Sequence, residues 1–410
     1  MLAAVLALVV SAGVQAPPVQ APAQTLTLAE AVARARRESP VRAGAAASAE
    51  GAEIAATLAG RRLNPLIDVR GENLAPRDPL VPDRDLFAVV SQPFELGGKR
   101  GVRRDIAGAD RDVSHLVLRT VERQLALETV RAYMRAVRAR DVLAILQTQR
   151  DGLTTIVATM RRRVEEGLAP ESDLLRFEAE AARMATEMTR IQVELNRALM
   201  DLSALIGSPM PVAPTSLVSP NPVSPPAIGV DAIDRAVDQR PDLQLTAARV
   251  ERARLSASLE RLRRLPDPSV SAGYKRTQGQ NTAVAGVVVA VPLFDQNAQA
   301  RAIADAGVRA AVFDQQAAHA RAVADAQAAL NAAVALSGSL ARVDRDLLAP
   351  AEGVRNAAQA MFREGASDVL KLVDAERIYA DVRREAQSLA ADAYVAAIEA
   401  RFAVGEEDIP

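Results

Sequence analysis

Between Leu372 and Ala403 the non-polar residues fall at Leu372, Ala375, Tyr379, Val382, Ala386, Leu389, Ala393, Ala396, Ala400 and Ala403. Steps of three and four alternate throughout. A stripe this narrow is the seam of a helix wound against a neighbour, since a helix on a compact core needs a wider apolar face. Leu174, Phe177, Ala181, Met184, Met188, Ile191, Leu195, Ala198, Leu202 and Leu205 carry the same seam 198 residues earlier (372 − 174). Glu166-Gly167 and Glu364-Gly365 precede the two stretches at that same offset. The chain is therefore a duplicated unit built on long coiled-coil helices.

Composition agrees with close helix packing. Alanine is abundant, aromatics make up 3%, and Trp and Cys are absent. Alanine favours helix and lets backbones approach, whereas compact cores recruit aromatics. Fifty basic and 51 acidic residues leave a net charge of −1, which gives no footprint for nucleic acid. Zero Cys excludes disulfides, thiolate metal sites and a lipid-modified cysteine. Residues 1–16 read as a signal peptide: an apolar run from Leu2 to Val10, then small residues at a cleavage site. That run lacks a positive n-region, which points to a start upstream of Met1, and it is too short to span a bilayer. No other apolar run reaches spanning length.

The two repeats follow one plan. Residues 17–206 form the first, 207–229 a Pro/Ser/Val linker, 230–405 the second and 406–410 a tail. A helix capped by Thr27, with Glu30 completing a capping box, runs to about Leu58 and stops before Asn64-Pro65. Strands over 66–72 and 86–92 make a hairpin. A helix of nearly 100 Å follows from about Arg100 to Val164. Gly167-Leu168-Ala169-Pro170 turns the chain, and the seam helix returns to Ile206. The second repeat has a helix over 230–263, strands over 269–276 and 282–291, and a helix from Ala298 that breaks or kinks near Pro350. It then turns at Gly365-Ala366-Ser367 and returns along the second seam.

Each repeat thus offers one β-hairpin and one long helical hairpin, and four strands still leave two open edges. Three copies would close a twelve-stranded barrel, with strand lengths suited to a tilted crossing of an outer membrane. In such a barrel Asp68, Arg70, Lys275 and Arg276 should face the lumen or the rim.

The run Ser91-Gln92-Pro93-Phe94-Glu95-Leu96-Gly97-Gly98-Lys99-Arg100, followed by Arg103-Arg104, resembles the strand-to-helix corner of TolC-like outer-membrane efflux proteins, and most closely their CzcC-like heavy-metal branch. Val289 to Asn297, with Pro292 at its centre, is similar to the second-half counterpart. The turns from Glu166 to Leu175 and from Gly365 to Ala375 resemble the two periplasmic tips. The likeness covers 26–405 in both repeats. It implies a mainly α fold with short β-hairpins, assembled as a homotrimer with a periplasmic α-barrel and a shared outer-membrane β-barrel set in lipid. It also implies partners, namely a periplasmic adaptor (membrane fusion) protein and an inner-membrane RND transporter, with divalent heavy-metal cations as cargo. Gly167, Leu168, Gly365, Ala366 and Ser367 would meet the adaptor. Members of the family place acids one turn apart at the tip constriction; here Lys371 and Asp374 stand there, so a basic residue replaces the first acid. Asp173 or Asp368 is the other candidate for a negative ring.

No residue pattern points to catalysis or a cofactor. His115 and His319 stand apart on helices without a second imidazole. Met184 and Met188, a soft-metal pair by spacing, are consecutive seam positions, which core packing explains. Gly97-Gly98-Lys99 lacks the upstream Gly and following Ser/Thr of a phosphate loop. Two alternatives remain open at this point: the same fold exporting drugs or proteins, and a periplasmic coiled-coil adaptor.

Overall fold

The computed structural model describes residues 25–72, 85–277, 279–364, 366 and 369–409. Residues 1–24, which include the expected signal peptide, lie outside that set, as do Gly365, Ser367 and Asp368.

Helices α1 (Leu28–Glu38) and α2 (Pro40–Leu58) lead to strands β1 (Leu66–Glu72) and β2 (Asp85–Pro93). The helical hairpin α3 (Lys99–Glu165) and α4 (Glu171–Leu205) follows. The second repeat has α5 (Val230–Val237), α6 (Pro241–Leu262), β3 (Pro268–Thr277) and β4 (Gln280–Val289). Then come α7 (Ala298–Val343), α8 (Ala349–Arg363) and α9 (Val369–Ala403). With 67 residues, α3 is about 100 Å long. The seams do what their spacing requires: every seam position of α4 and α9 is buried or half-buried.

Three expectations are corrected. The opening helix is two helices, because Ser39 is extended and Pro40 starts α2 at a position where a missing N–H costs nothing. Arg240-Pro241 divides the second repeat's first helix in the same way. Thr27 does cap α1, accepting from the Glu30 N–H at 3.2 Å, but the Glu30 carboxylate pairs with Arg34 at 2.6 Å, so half the capping box is made. The interruption expected near Pro350 falls just before that residue. A π turn over Asp344–Leu348 carries the chain from α7 into α8, and Pro350 lies in α8's first turn. The linker, finally, is packed: Leu217 is buried and bridges Leu26, and the buried Tyr133 hydroxyl accepts from the Val218 N–H at 2.9 Å and shares its one proton between the Leu26 and Val218 carbonyls, 2.6 and 2.7 Å away.

The four strands form one antiparallel sheet in the order β1-β2-β3-β4. The helices beneath take a matching order: α2 packs on α3, α3 on α6, and α6 on α7. Edge strand β1 therefore continues edge helix α2, and β4 continues α7. Further along the body, α3 packs against α4 and α9, while α9 packs against α7 and α8. The two repeats meet around buried Arg123 and Arg240, whose guanidiniums donate to the last carbonyls of α9, Phe402 and Ala403. Burial, then the charge of Arg240, pushes the Arg123 pKa down. Burial alone would raise Asp242, but the hydrogen bond and charge of Arg240, with the charge of Arg123, hold its carboxyl below the usual range.

Candidate functional site

The sheet is polar on its sheltered face and apolar on its exposed one. Register puts Arg70, Phe87, Lys275 and Thr282 in one row across the strands, with Asp68, Val89, Gly273 and Val284 in the next. On β2 and β3 the positions of this face are half-buried or buried. Arg70 pairs with Asp68 at 3.1 Å, and both Arg70 and the Lys275 ammonium lie over the Phe87 ring, the latter at 4.9 Å. The opposite face carries Ile67, Val69, Leu86, Ala88, Val90, Val270, Ala272, Ala283, Ala285 and Val287, all exposed. Val69 is 71% exposed and Ile67 73%. Of the four charges expected at lumen or rim, Asp68, Arg70 and Lys275 share the sheltered face. Arg276 falls on the apolar face, in its last row before the strand ends. Among the described residues no helix is long and apolar enough to cross a membrane.

At the first strand-to-helix corner Pro93 ends β2, and Gly97 and Gly98 have φ of 70° and 80°, which only glycine adopts freely. A Cβ on Gly97 would also lie 2.4 Å from Leu265 Cδ1. The corner locks one repeat to the other. Lys99, 5% exposed, donates from Nζ to Asp267 Oδ1 at 2.8 Å and to the Leu265 carbonyl at 2.5 Å, and the Leu96 N–H reaches the same Oδ1 at 2.9 Å. Two of the three ammonium hydrogens are thus engaged by the protein. At the second corner Pro292 is half-buried, and Asn297 takes the left-handed position (φ 59°), the counterpart of Gly98 at an offset of 199 (297 − 98). Its amide donates to the Glu260 carbonyl and carboxylate at 2.9 and 2.8 Å. Lys99→Met would leave the Leu265 carbonyl unpaired and Asp267 with one donor. The expected loss is about 2–3 kcal/mol, read as a lower urea midpoint; an unchanged midpoint would show that the lysine is idle.

The tips close alike in both repeats. The Leu168 N–H bonds the Arg163 carbonyl at 2.7 Å, and the Ala366 N–H bonds Met361 at 2.9 Å, each six-residue closure displaced by 198 (366 − 168). Gly167 supplies the left-handed residue of the first (φ 71°), and Leu168 is 64% exposed at its apex. An apolar cluster of Met160, Leu174, Phe177, Val369, Leu370 and Val373 holds the two tips side by side. Asp173 is half-buried in the first turn of α4. Lys371 and Asp374 are exposed on α9, off the seam, and Asp374 pairs with Arg377 on its own helix at 3.3 Å. Of the candidates for the tip, Gly365, Ser367 and Asp368 lie outside the described residues.

Just above the tips, α4 and α9 face each other with inverted charges. Glu180, Arg183 and Glu187 on α4 stand against Arg377, Asp381 and Arg384 on α9, and Glu187 reaches Arg384 at 3.9 Å. The Arg183 hydrogen bond, then the charges of Arg183 and Arg377, hold Glu180 below the ordinary carboxylate range. Sequence reading misses this ladder, although its signal is present: opposite signs recur at an offset of 197 or 198 (377 − 180, 381 − 183). The histidines each face carboxylates, His115 with Glu53 at 3.4 Å and His319 with Asp238 at 3.4 Å and Asp234 at 3.6 Å. Among the described residues no three His, Cys, Asp or Glu side chains are grouped to hold a metal ion.

A sheet with its apolar face outward, carried on helices of this length, defines a class: a β-sheet membrane protein with a long helical body, folded like the TolC-like channels. The chain belongs to the outer membrane efflux protein family, whose sequence model matches residues 20–208 and 232–406. That membership places it among proteins of the outer membrane. It is 35% identical to the nickel and cobalt resistance protein CnrC of Cupriavidus metallidurans over 69% of this chain and 66% of that one, so the match spans just under two thirds of that relative. The cobalt-zinc-cadmium resistance protein CzcC of the same organism is 25% identical over 72% of this chain and 71% of its own length. A crystal structure of CusC shares the fold with a TM-score of 0.77 at 17% identity, covering 92% of each chain.

Proposed function

We propose that the chain is one protomer of a trimeric outer-membrane exit duct. In it three four-stranded sheets close a twelve-stranded barrel and the helices form a periplasmic α-barrel. The observation that carries this reading is the sheet itself, apolar where it is exposed and open at two edges that sit above the matching edge helices. Such a sheet is stable only with lipid on its outer face and another strand at each edge. The helix edges support it: Val41, Ile54 and Leu58 on α2 and Ile303, Phe313 and Val334 on α7 are apolar residues left exposed in one copy. Rotation by a third of a turn brings β4 and α7 of one copy to β1 and α2 of the next, a head-to-tail contact that closes a ring.

The duct serves an RND transporter through a periplasmic adaptor, which docks on the turns at Gly167-Leu168 and 365–367. It conducts and does not catalyse. Divalent metal cations are the cargo favoured by the likeness to CnrC and CzcC, ahead of drugs or proteins. At the tip, Asp374 is partly neutralised by Arg377, and Lys371 adds a positive charge. The constriction is therefore less cation-attracting than a double ring of acids would be. Residues 1–16 direct export and are removed.

The test is the membrane fraction and detergent-solubilised mass of the full-length protein, followed by conductance in planar bilayers. An outer-membrane trimer with channel activity is expected. Lys371→Glu should shift the reversal potential toward cation preference at unchanged trimer yield; no shift would remove this residue from the constriction. A soluble monomer would sink the duct reading.

A further inference from the structure

Arg276 is the one charge on the exposed apolar face of the sheet among the described residues. Its row reads Gly71, Leu86, Arg276 and Asn281 from β1 to β4, and the row beneath reads Val69, Ala88, Tyr274 and Ala283. Beyond it the strands end. No carboxylate shares this row, and among the described residues Arg276 has no ion-pair partner. The acids at this end of the sheet, Glu72 and Asp85, are in the row facing the other way.

On a surface in contact with lipid, an arginine is tolerated where its head reaches the interface. Tyr274 marks that depth, with an apolar ring on the exposed face and a hydroxyl that donates to Asn281 Oδ1 at 2.5 Å. Arg276 stands two residues further toward the strand end, about 6.6 Å along the strand. The Tyr274 bond takes the Asn281 oxygen and leaves its amide N–H groups as donors beside the guanidinium. A planar cation with a neighbouring amide donor suits a phosphate, and at this depth outside a membrane sheet the phosphate available is that of a lipid headgroup.

We propose that Arg276 and Asn281, set on the belt residue Tyr274, form a site for the phosphate of an anionic lipid in the outer leaflet, one per protomer. The inference rests on the barrel reading above and adds to it a residue and a headgroup chemistry. Spin-labelled phosphatidylglycerol and phosphatidylcholine, added in turn to the full-length protein in phosphatidylcholine vesicles, report their relative association from the motionally restricted part of their spectra. The wild type is expected to prefer phosphatidylglycerol by about fivefold at this site, the ratio one arginine supplies near a charged surface. Arg276→Gln should bring the ratio near one, Arg276→Lys should keep most of it, and high salt should abolish it. Equal preference in the wild type and Arg276→Gln overturns the site. Displacement of the spin-labelled lipid by inorganic phosphate at matched ionic strength would overturn it too, assigning the pair to a soluble anion. A complete lack of restricted lipid, with either label, would instead remove the membrane reading itself, and this inference with it.

Discussion

Val90→Arg is expected to abolish assembly in the outer membrane, while Ser91→Arg, one residue along the same strand, leaves it nearly intact. Val90 lies on the exposed apolar face of β2 in the row with Ile67, Ala272 and Ala285, inside both ends of β2, β3 and β4. An arginine there meets hydrocarbon and costs about 2–4 kcal/mol per copy near mid-membrane, which three copies multiply. Ser91 sits on the sheltered face beside Leu66, Ser271 and Gly286, where neighbours are mostly small and charges are already carried further along. The measurement is the fraction of each variant recovered as trimer from outer-membrane vesicles. Equal recovery would mean that the exposed face does not meet lipid, and the barrel reading would fall.

The second large effect belongs to Gly273. A Cβ on this residue would lie 2.3 Å from the Ala88 carbonyl oxygen and 2.6 Å from Val89 Cα, both backbone atoms of the paired strand. Neither can yield without parting β2 from β3, the one pairing that joins the hairpins of the two repeats. Gly273→Val should therefore cost at least about 3 kcal/mol, the upper range for overpacking, and leave most of the protein outside the membrane. Gly286→Ala is the matched control, since its Cβ meets only the Ser271 hydroxyl, a rotatable group, at 3.3 Å. Similar losses for both would locate the constraint elsewhere than in backbone contact.

Periodicity alone makes the helical hairpins and both β-hairpins legible, because each seam position has a single partner surface and every strand ends in turn residues. What it conceals depends on contacts between distant residues. Pro40 and Pro241 sit where a helix accepts proline at its first turn, so each helix start looks like helix interior. The grip of Lys99 on Asp267 joins residues 168 positions apart, and nothing local announces it. The two faces of the sheet can be read from alternation on β3, but not on β2, where Leu86 to Val90 is apolar throughout. The run Val287-Val288-Val289 on β4 hides the pattern there, since both faces are apolar. For Arg276, sequence places a charge at the strand end but not its face. That assignment needs the register with Asn281. At the tips the turns are legible from Gly167 and its counterpart, whereas the α4–α9 ladder requires knowing that the two returning helices touch.

The order β1-β2-β3-β4 also bears on how the protein comes into being. Pairing Leu86 with Arg276 closes a loop of 190 residues (276 − 86), whereas α3 meets α4 and α8 meets α9 across turns of a few residues. Loop closure makes distant pairings slow and near ones fast. The hairpin arms are therefore expected to form first and the sheet to be completed last. Pulse-labelled hydrogen exchange during refolding should show amides of α3 and α4 protected ahead of those of β2 and β3; the reverse order would refute it. If the sheet meets lipid as proposed, the chain would cross an aqueous compartment with its stickiest part still unmade.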